Sequence, residues 1–152
     1  MDYRSAKESD IEAISNVLQA LVKAGMRSAP ADQSFVRTNY VVSPEKIFCT
    51  VAEEEGVILG FQILKLATEN NKYGVFAGWG IIGTHVTPSA ARNGIGKGLF
   101  SMTLIAAKNA ELKKIDATIG DQNVDGLAYY ASMGFETYRT SKDRICKVYS
   151  VG

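Results

Sequence analysis

The chain carries almost no excess charge, since 17 Lys and Arg stand against 16 Asp and Glu for a formal net charge of +1. No basic block or stripe runs along it, so nothing supplies the electrostatic footprint of a nucleic-acid-binding protein. No apolar run approaches the ~20 residues needed to cross a bilayer, and the N-terminus lacks the pattern of a signal peptide. Cysteine is scarce: Cys49 and Cys146 lie far apart in strand-like segments. That spacing argues for two buried thiols and against a disulfide framework or half of a metal site. No internal repeat or low-complexity segment is visible. What remains is an ordinary globular composition, 46% hydrophobic and 22% charged over 152 residues, expected to form one domain spanning 1–152 in the cytoplasm.

The apolar spacing organises the chain. Residues 3–6 read as a short strand. Ser9 or Asp10 can cap a helix over 11–24, whose apolar positions Ile11, Ile14, Val17, Leu18, Leu21 and Val22 recur at helical spacing, with Gly25 as the stop. A second short helix is expected near 31–40. Residues 47–52 and 57–66 pair as a hairpin across a turn at 53–56, where three glutamates are most simply a solvated face. A further turn at 70–74 leads into a long strand over 75–86. Gly78, Gly80 and Gly83 interrupt that strand, and glycine there suggests a bulge or a backbone kept open to a ligand. A helix over 94–110 follows, with Ile95, Leu99, Met102, Ile105 and Ala106 as its buried stripe. Then come a strand at 115–119, a helix at 124–133, and strands at 135–138 and 145–148. The order β-α-α-β-β-β-α-β-α-β-β predicts a mixed α/β fold, a mostly antiparallel sheet with helices on both faces.

Two missing residues discipline the stretch Val86-Thr87-Pro88-Ser89-Ala90-Ala91-Arg92-Asn93-Gly94-Ile95-Gly96-Lys97-Gly98-Leu99. A Walker A loop needs Ser or Thr after Gly-Lys, and here Gly98 follows Lys97. A dinucleotide fingerprint needs a third glycine at a spacing where helix packs on strand, and this Gly-x-Gly-x-Gly run does not supply it. What survives is a strand end, a Pro-marked turn, glycines and a helix start. A helix start leaves backbone N–H groups without partners at the positive end of the helix dipole. Glycines let an anion reach those amides, so the stretch is suited to a phosphate or pyrophosphate.

The pattern strand–Val-x-Pro-x-x-x-x-x-Gly-Ile-Gly-x-x-Leu resembles motif A of the GNAT superfamily of acyl-CoA-dependent N-acetyltransferases. Some thirty residues on, Asn123, then a helix carrying Tyr130, then Gly134-Phe135 entering a strand resembles motif B of that family. The resemblance is sharp over 75–140 and weaker before it. It implies a GNAT-like sheet splayed between the strands ending at Val86 and Ile119, with acetyl-CoA as cosubstrate lying in the gap and no metal. The pantetheine arm would bond to the backbone at Val86 and Thr87 in the manner of an added strand. The pyrophosphate would rest on the amides of Asn93, Gly94, Ile95, Gly96, Lys97 and Gly98, with Arg92 and Lys97 adding charge. Asn123 would lie by the pantetheine arm, although an N-cap for the helix at 124 explains it equally.

The implied reaction is attack of a neutral amine on the thioester carbonyl. The Val86 N–H would stabilise the carbonyl oxygen, and Tyr130 would protonate the departing thiolate. Tyr129 points elsewhere and is read as structural. Two departures from the family pattern stand out. Ala91 occupies a position where relatives carry Gln or Arg, and residues 75–86 hold no carboxylate to act as base. His85, the only histidine, sits beside the reaction centre, but strand alternation turns it away from Val86 unless a bulge at Gly83 intervenes. Without it, deprotonation runs through water or the acceptor arrives partly neutral. Met26, Arg27, Phe35, Arg37 and Trp79 are in reach of an acceptor site on topology, and Arg27 or Arg37 suits a substrate carboxylate. The expected partner is therefore a small-molecule amine, an amino acid or analogue, with no nucleic acid or membrane and room for a homodimer. A non-catalytic acyl-CoA-binding module and a protein N-acetyltransferase are the alternatives.

Overall fold

The computed structural model describes residues 1–152. Its elements are β1 (Asp2–Ser5), α1 (Ile11–Lys23), α2 (Gln33–Val36, continued by a wider turn at Arg37–Val41), β2 (Lys46–Glu54), β3 (Val57–Leu66), β4 (Gly80–Val86), α3 (Ile95–Asn109), β5 (Lys114–Gly120), α4 (Val124–Met133), β6 (Glu136–Ser141) and β7 (Arg144–Ser150). The seven strands form one sheet in the order β1-β2-β3-β4-β5-β7-β6. Neighbours are antiparallel except β4 and β5, which are parallel because α3 carries the chain back across the sheet between them.

Alternation along β3 divides the core in two. Phe61 and Ile63 pack beneath α1 and α2 with Ile14, Leu18 and Val36. On the opposite face Leu64 joins Ile82, Phe100, Ile115 and Phe135. Six of these ten side chains are fully buried, Phe61, Ile14, Leu18, Val36, Leu64 and Ile115, each contributing about 1.5–3 kcal/mol. The α1 stripe is as expected except that Val22, at its edge, is exposed. Asp10 does not cap α1 through its side chain. Its carboxylate instead accepts from the Lys7 amide and from the Arg4 guanidinium of β1, at 2.8 Å each. The helix stops at Gly25, where the Met26 N–H donates to the Leu21 carbonyl and the Gly25 N–H to that of Val22. This closure places Met26 and Arg27 on the same side as His85 of β4.

Three expectations change. The long strand at 75–86 begins only at Gly80. Residues 67–79 form a loop knotted around Asn71, whose side chain bonds the backbone of Thr68, Tyr73 and Val75. These local bonds outcompete a strand ladder for the same backbone groups. No bulge exists at Gly83, because β3 and β4 pair in unbroken register from Gly60–Val86 to Leu66–Gly80. The buried face of α3 is Ile95, Leu99, Phe100, Thr103 and Ala107, whereas Ile105 is 57% exposed. The helix is rotated from its expected setting so that Phe100 meets Phe135 and Tyr149 at ring separations of 5.6 and 5.2 Å.

Gly60 fixes how closely β3 approaches β4 at Val86, since a Cβ there would lie 2.9 Å from the His85 carbonyl oxygen and 3.2 Å from the Val86 Cα. Backbone cannot step aside cheaply, so Gly60→Ala is expected to lower stability by about 1–3 kcal/mol, the range of an overpacked core. Urea unfolding followed by circular dichroism would read this, and a midpoint equal to that of the wild type would contradict it.

Candidate active site

The parallel ladder between β4 and β5 holds only at Gly80–Ile115 and Ile81–Asp116. Beyond it the strands part, as the expected gap between Val86 and Ile119 requires. The Thr87 N–H donates to the Leu59 carbonyl of β3 at 2.8 Å. Successive residues of a strand point their polar groups to opposite edges, so the Val86 N–H and C=O face the gap. The Thr87 amide is held by β3 and its carbonyl accepts from the Ala90 N–H, so of the predicted pair only Val86 keeps both backbone groups open.

A cleft of about 1290 Å³ follows the gap from one face of the sheet to the other. Of the predicted residues, Val86, Arg92, Gly94, Ile95, Gly96, Lys97, Asn123 and Tyr130 line it. Gly94 adopts φ +77° and starts α3. From Arg92 through Lys97 no backbone amide donates to another protein group, whereas the Gly98 amide lies 3.4 Å from the Gly94 carbonyl and belongs to the helix ladder. Gly98 is therefore a packing residue, its missing Cβ making room for the Tyr3 ring of β1. Gly96 combines both functions. Its amide is open, and a Cβ on it would sit 2.5 Å from the Tyr129 ring. Open amides at the positive end of the α3 dipole are a chemistry suited to an anion.

Arg92 takes a left-handed backbone at φ +66° and reaches across to Asp125 at 3.2 Å, both side chains largely exposed. It ties the loop to the first turn of α4 rather than standing free, while Lys97 is exposed and has no acidic partner. Asn123 caps α4, its Oδ1 accepting from the Gly126 N–H at 2.9 Å. The cap leaves the Asn123 Nδ2 without a partner at the cleft wall.

Tyr130 is 6% exposed, and its hydroxyl lies 2.8 Å from the Thr84 hydroxyl. Burial raises its pKa well above the ordinary phenol value, with Thr84 working in the opposite direction. The phenol is thus protonated throughout the physiological range. Tyr129 is not a bystander on the helix. Its hydroxyl donates to the Gly96 carbonyl at 2.6 Å and accepts from Gln62 at 3.0 Å, and burial pushes it up to about 12. Gln62 and Thr84 are the residues that sequence reading missed. Gln62 is polar at a fully buried position of β3, and a Gln inside an otherwise apolar strand was the available signal.

At the other end of the cleft lie Leu21, Met26, Arg27 and His85. Arg27 donates to the Pro30 carbonyl at 2.8 Å and stacks on Phe35. Phe35, Arg37 and Trp79 do not line the cleft. Arg37 is paired with Glu8, Phe35 packs edge-on against Tyr40, and Trp79 packs on Phe76 and Tyr138. His85 stacks on Phe61 at 4.9 Å, on the opposite face from Thr84 and Tyr130. Burial first, then the Arg27 charge, pushes its imidazole down to about 3. It is neutral at neutral pH and a weak base. No cluster of His, Cys, Asp or Glu is positioned to hold a metal ion. No helix is long and apolar enough to cross a membrane.

The sequence matches the acetyltransferase (GNAT) family over residues 15–135. No curated protein matches it significantly. The fold is similar to that of yncA from Salmonella typhimurium with its cofactor acetyl-CoA, at a TM-score of 0.76 and 18% identity over 99% of this chain and 94% of that one. It is also similar to a PaiA N-acetyltransferase from Thermoplasma acidophilum in complex with coenzyme A (TM-score 0.77, 19% identity, 98% of both chains). A third is the ribosomal-protein-S18-alanine N-acetyltransferase from Escherichia coli (0.75, 15%, 99% of this chain and 94% of that one). At such identities the likeness is one of fold.

Between its ordinary 6.5 and about 3, the His85 imidazole is protonated in the unfolded chain and neutral in the folded one. The unfolded state then binds more protons, and stability falls as pH falls through that window. His85→Gln should flatten this slope between about pH 6.5 and pH 4. Urea unfolding at a series of pH values tests it, and parallel slopes for the two proteins would contradict it.

Proposed function

The chain belongs to the GNAT acetyltransferase family, and from that premise we propose that it moves an acetyl group from acetyl-CoA to the primary amine of a small molecule, an amino acid or analogue. In this reading residues 1–152 act as one domain, in the cytoplasm. The observation that carries it is the convergence, in one cleft, of an unpaired Val86 N–H, a run of open amides at the start of α3 and a protonated Tyr130. The family, and the neighbours solved with acetyl-CoA and coenzyme A, support acetyl-CoA as the cosubstrate.

When bound, acetyl-CoA supplies an acyl group activated as a thioester. The residues present fit it. The amides of Asn93, Gly94, Ile95, Gly96 and Lys97 would hold its pyrophosphate, and Lys97 would add charge. Asn123 would offer its free Nδ2 to the pantetheine arm. Val86 would donate its N–H to the thioester oxygen as charge develops there. Tyr130 would give its proton to the leaving sulfur; a phenol near 10 is a weaker acid than a thiol near pKa 8.5, so the transfer is slightly uphill and would be drawn forward by expulsion of the thiolate from the tetrahedral adduct. His85 is too weak a base to take the ammonium proton, so that proton would leave through water in the cleft.

The acceptor end carries one cation, Arg27, beside apolar Leu21 and Met26 and a neutral imidazole. The lining carboxylates, Asp121 and Asp125, lie just before α4 and in its first turn. A site of this kind favours an acceptor with a carboxylate over a polycation. One observation favours a second reading, an acyl-CoA-binding module without catalysis: β4 carries no carboxylate and His85 is a weak base. An amine screen separates the two readings.

Thermal unfolding with acetyl-CoA near 1 mM should show a midpoint raised by several degrees, since a ligand at 100 times its dissociation constant adds ~2.7 kcal/mol. No shift would sink both readings. Tyr130→Phe is expected to lower turnover roughly 10²-fold, the scale of a lost general acid, and full activity in that variant would remove Tyr130 from the mechanism. Arg27→Gln should raise KM for a carboxylate-bearing amine about 10- to 100-fold, the worth of a charge-assisted hydrogen bond, with KM for acetyl-CoA unchanged. An equal effect on amines lacking a carboxylate would refute that assignment.

A further inference from the structure

A chain of buried polar groups crosses from α3 to Tyr130, and its direction can be worked out from one carbonyl. The Gly96 carbonyl can only accept, so Tyr129, whose hydroxyl lies 2.6 Å away, gives it its single proton. The Tyr129 oxygen can then only accept from the Gln62 side chain at 3.0 Å, which makes the facing Gln62 atom the amide nitrogen. The Gln62 carbonyl is correspondingly turned to Thr103, whose hydroxyl donates to it. The second Gln62 N–H goes to the Thr84 hydroxyl at 2.8 Å. That leaves the proton of Thr84 itself. Its only other hydrogen-bond partner is the Tyr130 hydroxyl, at 2.8 Å.

If Tyr130 donated to Thr84, the Thr84 proton would be left without a protein acceptor. If Thr84 donates to Tyr130, each of Gly96, Tyr129, Gln62, Thr103 and Thr84 has its partner, and the Tyr130 proton turns into the cleft that the ring lines. We propose that Gln62 and Thr84 are positioning residues that orient the Tyr130 hydroxyl, so that its proton faces the leaving sulfur and its oxygen receives the hydrogen bond of Thr84. The proposal rests on the reading of Tyr130 as proton donor. In the transfer the Tyr130 O–H bond breaks as the S–H bond forms. The phenolate is held by a charge-assisted bond from Thr84 and regains a proton from water in the cleft. Gln62 and Thr84 keep their protons throughout. The direction of the charge effect agrees, since the Thr84 hydrogen bond lowers the pKa that burial raises. Gly96 anchors the chain at the same turn of α3 that offers its amide to an anion, and the absent Cβ of Gly96 is what lets Tyr129 reach it.

The test is a double-mutant cycle read as kcat and KM separately. Thr84→Val removes the hydroxyl at nearly constant shape. It should lower kcat about tenfold or more, part of the ~10²-fold or greater effect of a lost general acid, with both KM values unchanged. Thr84→Ser should restore kcat, and in a Tyr130→Phe background Thr84→Val should have no further effect. Unchanged kcat in Thr84→Val, no rescue by serine, or the same loss with and without the Tyr130 hydroxyl would each overturn the proposal. Neutron diffraction on deuterated protein gives a readout independent of activity. The expected result is a deuteron on Thr84 aimed at Tyr130 and the Gln62 amide deuterons aimed at Thr84 and Tyr129. A Tyr130 deuteron aimed at Thr84 would overturn the proposal even in an active enzyme. If no amine is acetylated, the proposed function fails, and the deuteron positions still decide the orientation.

Discussion

The contact between β4 and β5 ends after Ile81 and Asp116, and the geometry of the cleft follows from that short ladder. A sheet ordinarily pairs each backbone N–H and C=O with a neighbour, because an unpaired buried group is costly. Here the groups of Thr84 and Val86 on the open edge are left facing a gap. The rest of the fold keeps the gap from closing. β4 is held on its other edge by β3 along its whole length, and β5 is held by β7 from Lys114 to Gly120. Each strand is therefore pinned to its own half of the sheet. The right-handed twist of neighbouring strands carries the two halves apart with distance.

The helix starts complete the cleft that the splay opens. α3 and α4 follow the two parting strands, so both begin at the mouth of the gap. α3 presents open amides because its first turn is glycine-rich and lacks a side-chain cap. α4 is capped by Asn123 and so presents a side chain instead. The asymmetry matters chemically. One wall is built to meet an anion, and the other carries Tyr130 to the inner end of the cleft. The Gln62 network joins the two walls through β3.

Most of the element order was legible because it rests on local signals. Hydrophobic spacing located α1, β3 and α4, and the Gly-Ile-Gly and Tyr-x-x-x-Gly-Phe patterns located the two cleft walls. The misreadings share a cause. The strand expected at 75–86 was shortened by side-chain bonds from Asn71 that compete with a ladder. The α3 stripe was rotated by packing of Phe100 on Phe135 and Tyr149, which lie 35 and 49 residues away in sequence. Gly98 looked like part of an anion loop and is a packing glycine, because only the tertiary fold brings Tyr3 against it. Arg92 looked free and is tied to Asp125, a partner 33 residues on.

The sequence by itself determined the strands and helices, the glycine-rich helix start and the presence of a Tyr at the family position. Period, capping and turn residues act within a few positions of one another and are written in the chain. Only the tertiary structure decided which amides stay open, which way the Val86 N–H points, and that His85 is neutral and faces the opposite side of the sheet. Those properties depend on strand register and on burial by residues distant in sequence. A local pattern can name Thr84 and Gln62 as polar residues in strands, but the hydrogen bonds that give them a direction exist only once β3, β4, α3 and α4 are packed together.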